Sequence, residues 1–140
     1  MIADATRKGL LVLAAAILAA AATPALAETL SFKANIQPIA GTDSKASGEL
    51  TAEYDTGSKK LTWHGSYKGI GTYAISGVLH GPDPGRPGAV VRLRNIDSPF
   101  EGTAIISEQQ AGDLEAGKWF ILIRTAAAPQ GELRGQLVRN

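Results

Sequence analysis

The chain has 140 residues, 44% of them hydrophobic, no cysteine and a formal net charge of +1. Residues 1–27 hold 20 of the 62 apolar residues, so the other 113 carry 42, or 37%, enough for one compact domain and too few for an integral membrane protein. With Asp4, Arg7 and Lys8 set aside, 12 basic and 12 acidic residues remain, and a neutral chain without runs of like charge has no evident footprint for nucleic acid or anionic lipid.

The first 27 residues have the three parts of an export signal. A charged start ends in Thr6-Arg7-Lys8, an apolar run covers residues 10–22, and Pro24 precedes Ala25-Leu26-Ala27. Small residues at Ala25 and Ala27 suit signal peptidase and predict cleavage before Glu28. The run has 13 residues, whereas a membrane-spanning helix needs about 20. Arg7-Lys8 is not a twin arginine, and no cysteine follows to accept a lipid. The expected product is residues 28–140, periplasmic or secreted, with no membrane attachment after cleavage. Without cysteine it has no disulfide, thiolate metal site or cysteine nucleophile. Its core alone must hold it together, which 113 residues allow.

Glycine and proline punctuate the rest at strand-length intervals, the pattern of an all-β protein. Leu30, Phe32, Ala34 and Ile36 alternate with polar residues and predict a half-buried strand stopping near Pro38. Gly48, Leu50, Ala52 and Tyr54 repeat the alternation, Asp55-Thr56-Gly57-Ser58 makes a turn, and Leu61, Trp63, Gly65 and Tyr67 alternate again, so these two strands form a hairpin. A fourth strand covers residues 73–80, and the proline-rich stretch 81–88 reads as a stiff turn. A fifth covers 89–95, with Ala89, Val91 and Leu93 on one face and Val90, Arg92 and Arg94 on the other, and a sixth covers 103–106. Ser107 and Gln110 form a capping box for a short helical turn, with Leu114 tucked inward before Gly117. Residues 119–125 are nearly continuously apolar and predict a central strand buried on both faces. The last strand, 132–138, turns Leu133, Gly135 and Leu137 inward. About eight antiparallel strands with one short helical turn predict a two-sheet sandwich or flattened barrel.

Three segments resemble the chordin, or CHRD, domain. Gly69-Ile70-Gly71-Thr72-Tyr73-Ala74-Ile75-Ser76-Gly77-Val78-Leu79-His80-Gly81-Pro82 is similar to the family's Gly-Leu stretch leading into Ala-His-Ile-His-Gly-Pro. Leu114-Glu115-Ala116-Gly117-Lys118-Trp119-Phe120-Ile121-Leu122-Ile123-Arg124-Thr125 is similar to its Leu-x-Ala-Gly-x-x-Tyr-Val-Asn-Val-His-Thr. Pro129-Gln130-Gly131-Glu132-Leu133-Arg134-Gly135-Gln136-Leu137 nearly repeats its closing Pro-x-Gly-Glu-Ile-Arg-Gly-Gln-Leu. The resemblance implies a Greek-key β-sandwich in an exported protein and brings no enzymatic activity with it. The family's His-x-His and later His, if on neighbouring strands, could hold zinc or copper, an arrangement that also resembles copper-zinc superoxide dismutase. Here Val78 and Arg124 stand at two of those positions and only His80 remains, so no metal ligand set and no cofactor is expected.

The candidate ligand-binding residues are therefore His80, at a strand end beside Gly81-Pro82, and Arg124. An arginine after five apolar residues on a central strand needs a partner such as Glu132 or Asp83, or a strand end already in solvent. Alternatively it captures a small carboxylate or phosphate. Gly131, Glu132, Arg134 and Gly135 read as structural, with Glu132 and Arg134 flanking Leu133, pointing away from the core and pairing. His64, out of phase with its strand's apolar residues, faces water. No nucleophile–base pair or Gly-x-Ser-x-Gly context is present, and no two carboxylates stand out as an acid pair. The expectation is a non-enzymatic binding or structural module of the cell envelope whose partner is a protein or small molecule. A metal-binding or superoxide-dismutase-like protein and small-anion binding at Arg124 are the alternatives.

Overall fold

A computed structural model describes residues 26–82 and 89–140. The export signal, apart from its last two residues, and most of the expected turn at 81–88, including Asp83, lie outside the described residues. The elements are β1 (Thr29–Pro38), β2 (Ser47–Asp55), β3 (Lys60–Lys68), β4 (Ala74–His80), β5 (Ala89–Leu93), β6 (Phe100–Ile105), α1 (Glu108–Glu115), β7 (Phe120–Thr125), β8 (Leu133–Gln136) and β9 (Val138–Arg139). The strands run in the order β5-β4-β7-β8-β1-β2-β3-β6, with the two-residue β9 also on β1. Every pairing is antiparallel.

The strand order folds into two halves hinged at β1. One half is β1-β2-β3-β6 and the other β5-β4-β7-β8. β1 belongs to both, because Phe32 and Lys33 pair with β9 while Gln37 and Pro38 pair with β8. β8 thus returns beside β1 to give the order β8-β1-β2-β3, a Greek-key relation, and the sheet is nearly closed, as in a flattened barrel.

Alternation of side chains supplies the core. Leu30, Phe32, Ala34 and Ile36 of β1 are all buried, as are Leu50, Ala52 and Tyr54 of β2 and Leu61 and Trp63 of β3. The other half meets them with Leu79, Ile121, Ile123, Leu133 and Leu137, and with Trp119 just before β7. Each such aliphatic side chain contributes about 1.5–3 kcal/mol on burial. The β2–β3 hairpin closes through Asp55, whose Oδ1 accepts from the backbone N–H groups of Gly57 at 2.8 Å and Ser58 at 3.0 Å. At β6 the inner face is tight. Trp63 lies opposite Gly102 and Gly65 opposite Phe100, so each aromatic ring occupies the space that a side chain at its glycine partner would need.

The expected short helical element is present as the eight-residue helix α1, started by the Ser107–Gln110 capping box and carrying fully buried Leu114. Two expectations are corrected. β6 begins at Phe100, earlier than its apolar pattern suggests, because Phe100 is the ring that fills the space over Gly65. β7 is central, between β4 and β8, but buried on one face only: Ile121, Ile123 and Thr125 are fully buried, whereas Phe120 and Leu122 are half-buried and Arg124 is exposed. Its continuous apolar run arises because Phe120 and Leu122 pack against outer-face neighbours, Phe120 against His80 and Arg134, and Leu122 close to Ile39 and Gly131.

Candidate functional site

Both candidate ligand residues lie on the outer face of the β5-β4-β7-β8 half. Register places Arg92, Val78, Leu122 and Arg134 in one row across its four strands. On one side of that row His80 stands opposite Phe120, and on the other Ser76 stands opposite Arg124. His80 and Arg124 therefore share a face but not a pocket, since four residues of strand put roughly 13 Å between them. The His80 ring stacks on Phe120 with centroids 5.0 Å apart and planes 13° from parallel. The Arg134 guanidinium lies 4.0 Å from the centre of the same ring, a cation–π contact of about 0.5–1 kcal/mol at an exposed site.

Arg124 needs no buried partner, because it is exposed where β7 nears its end. Glu132 does not pair with it. Contrary to the outward orientation expected, Glu132 is buried at 4% exposure. Its Oε1 accepts from Thr125 Oγ1 and its Oε2 from Ser44 Oγ, both at 2.6 Å. The physical reason lies one residue earlier. Gly131, at φ 138°, takes a backbone conformation that L side chains rarely adopt, and β8 starts only at Leu133. Strand alternation does not extend back to Glu132, so residues 131, 132 and 133 are all buried. Glu132 thereby ties the loop before β2 to the end of β7, at the wall of a cleft of about 650 Å³ that Thr42, Lys45, Gly69 and Ala127 also line.

Packing also fixes Gly135 of the closing motif. A Cβ at Gly135 would fall 2.7 Å from the Asn35 carbonyl oxygen, so β8 can approach β1 only with glycine there. Arg134 points outward onto Phe120, and Gln136 Nε2 donates to the Gly117 carbonyl at 2.6 Å.

The charge distribution on the two outer faces is what linear reading missed. Arg92, Arg124 and Arg134 are all exposed on one face, and the described strand residues of that face include no acid. Among the described residues the ion pairs are Lys59–Glu108, His64–Glu101 and Arg139–Glu115, so none of the three arginines has a carboxylate partner there. The opposite face, on β1-β2-β3-β6, carries Glu49, Glu53 and Glu101 among Lys33, Lys60 and His64. Sequence neutrality thus conceals a segregated surface. The three residues stand out in sequence only as charges within strand segments. Only the strand order puts 92, 124 and 134 on one face.

Shifted ionisations lie away from this face. Backbone N–H groups of Ser58 and Gly57 hold the Asp55 carboxyl below the usual aspartate range. Lys59 is raised and Glu108 lowered by their mutual hydrogen bond. Burial, with the Asp97 charge, raises the Tyr67 phenol, whose hydroxyl donates to the Ile96 carbonyl at 2.7 Å. Positions 78, 80 and 124 lie on one face of adjacent strands, but 80 and 124 are too far apart along the strands to meet on one ion, and the three carry valine, histidine and arginine. Among the described residues no three His, Cys, Asp or Glu side chains are grouped as a metal site would require.

The family model of the CHRD domain matches residues 28–137, nearly the whole chain. No curated protein matches, and no solved structure matches.

Proposed function

Because the chain belongs to the CHRD domain family, we propose that it is an exported, non-catalytic binding module of the cell envelope, released by cleavage before Glu28, and that the outer face of β5-β4-β7-β8 is its binding surface. The observation that carries this reading is the gathering of three exposed, acid-free arginines around half-buried Leu122. Among the described residues none of these guanidiniums has a carboxylate partner, and Arg134 rests only on the face of the Phe120 ring, so their N–H donors stay available to a ligand. Support for a non-catalytic role comes from the ionisable groups themselves. His64 is engaged by Glu101 on the opposite face at 3.1 Å, and both oxygens of buried Glu132 are occupied by hydroxyl donors.

Export is tested by fractionating cells that express the full chain and sequencing the N-terminus of the recovered protein. The expected first residue is Glu28 in the periplasmic or extracellular fraction, and an intact N-terminus in the cytoplasm would refute it. The binding surface is tested by co-sedimentation of the recovered protein with envelope fragments. Ser76→Trp, which sets a bulky neutral group beside Arg124, should abolish retention, while Thr51→Trp on the opposite face should not. Equal retention of both variants would rule out this face.

A further inference from the structure

We propose that the ligand of this face is a linear anionic polysaccharide, a polyuronate-type chain whose carboxylates are taken in turn by Arg92, Arg124 and Arg134. The inference rests on the preceding reading of the face and names the chemistry that the face would recognise. Arg92 and Arg134 end one row of four paired strands, which separates their backbones by about 14 Å at the usual strand spacing, and Arg124 stands roughly 7 Å off that row. Three cations so dispersed cannot converge on one carboxylate or phosphate. They suit a ligand with several anionic groups held apart along a chain, and the planar guanidinium matches a carboxylate in bidentate fashion.

The side chains between the arginines favour a sugar polymer over other polyanions. Leu122 is half-buried and Val78 is only 6% exposed, so the centre of the face is recessed and presents no apolar side chain that could insert into a lipid surface. Phe120 is already stacked against His80 and Arg134, so among the described residues the face keeps a single free ring, Tyr73 at its margin, too few to stack successive nucleic-acid bases. Tyr73, 67% exposed, immediately precedes β4 at the end where Ala74 pairs with Thr125. It offers an exposed aromatic side chain at the margin of the face, where its carbonyl accepts from the N–H of Ala126, two residues along from Arg124, and where a sugar ring emerging from the arginines can rest.

The test is titration of the recovered protein with polygalacturonate as the probe, with free galacturonate, neutral dextran, single-stranded DNA and phosphatidylglycerol vesicles as comparisons. Polygalacturonate should bind where dextran and free galacturonate do not, with affinity falling roughly tenfold or more between about 50 and 200 mM salt. Each arginine removed should lower the salt slope by about one unit. Arg92→Ser with Arg124→Ser leaves the Arg134–Phe120 contact intact, so this double variant should keep the wild-type melting temperature while losing at least tenfold in affinity, and the paired lysine substitutions should restore part of it. Equal affinity of the double variant and the wild type would overturn the proposal, as would binding to vesicles or DNA but not to polygalacturonate. If Ser76→Trp abolishes envelope retention and polygalacturonate still fails to bind, the polysaccharide inference is lost while the reading of the face stands.

Discussion

Thr125 Oγ1 donates to Glu132 Oε1 at 2.6 Å, joining the last residue of β7 to the residue before β8 inside the protein. Ser44 Oγ donates to the other carboxylate oxygen at the same distance, so one buried acid fastens two loops to the sheet. A buried carboxylate is tolerated when its oxygens are satisfied, and removing a donor leaves it exposed to the full cost of desolvation. Thr125→Val keeps the side-chain shape and deletes that donor. It should lower unfolding free energy by about 1.5–3 kcal/mol in urea denaturation, and Ser44→Ala, at a half-buried site, by less. A Thr125→Val change within about 0.5 kcal/mol, the scatter of ordinary surface substitutions, would show that the pair does not secure the loop.

The contact between β3 and β6 leaves no room for added methyl groups. A Cβ at Gly102 would fall 2.5 Å from Trp63 Cζ2, and one at Gly65 would meet the Phe100 ring. Gly102→Ala and Gly65→Ala should each cost about 1–3 kcal/mol through overpacking. Trp63→Phe should recover part of the loss at Gly102 but none at Gly65, a difference readable in a double-mutant cycle of thermal unfolding.

The Asp55 turn should respond to acid. Ser58 and Gly57 donate to the folded carboxylate and hold its pKa below the ordinary 3.8. A carboxyl lowered on folding stabilises the folded state above its unfolded value, and that contribution is lost as pH falls through the folded value. NMR titration of Asp55 should give a midpoint below 3.8, with the amide protons of Gly57 and Ser58 losing exchange protection over the same range. Asp55→Asn, which retains an acceptor, should flatten that pH dependence. An ordinary Asp55 midpoint would contradict the hydrogen bonding described.

Helix α1 depends on its first residue before the helix. Ser107 Oγ accepts from Gln110 N–H at 3.1 Å while Gln110 Oε1 accepts from Ser107 N–H at 2.8 Å. Ser107→Ala should lose about 1 kcal/mol in thermal unfolding, whereas Ser107→Asp should stay close to wild type, because aspartate is an equally good cap. Equal losses for the two would mean that side-chain capping is not what starts the helix.

Most of the fold was legible where local rules apply without interruption. The alternations in β1, β2 and β3 identify the buried side chains of one half directly, and the Asp55 turn and the Ser107 cap are read from short-range chemistry. Legibility failed at Glu132 because Gly131 breaks the alternation, and at Phe120 and Leu122 because an apolar side chain packed on an outer face looks, in sequence, like one in the core. The candidate site was legible only in part: His80 and Arg124 stand out by residue type and position, but Arg92 and Arg134 give no reason to be grouped with them until strand order is known.

Sequence by itself determined the all-β class, the β2–β3 hairpin, most of the inward-facing residues and the family resemblance, because each follows from residue spacing within a few positions of the chain. The tertiary structure alone decided that β7 lies between β4 and β8, that Glu132 is an internal clamp, and that a chain with equal numbers of acidic and basic residues after position 27 segregates three arginines onto one face. Those outcomes depend on which distant strands pair. Pairing is a property of the whole packed core, and no local pattern encodes it.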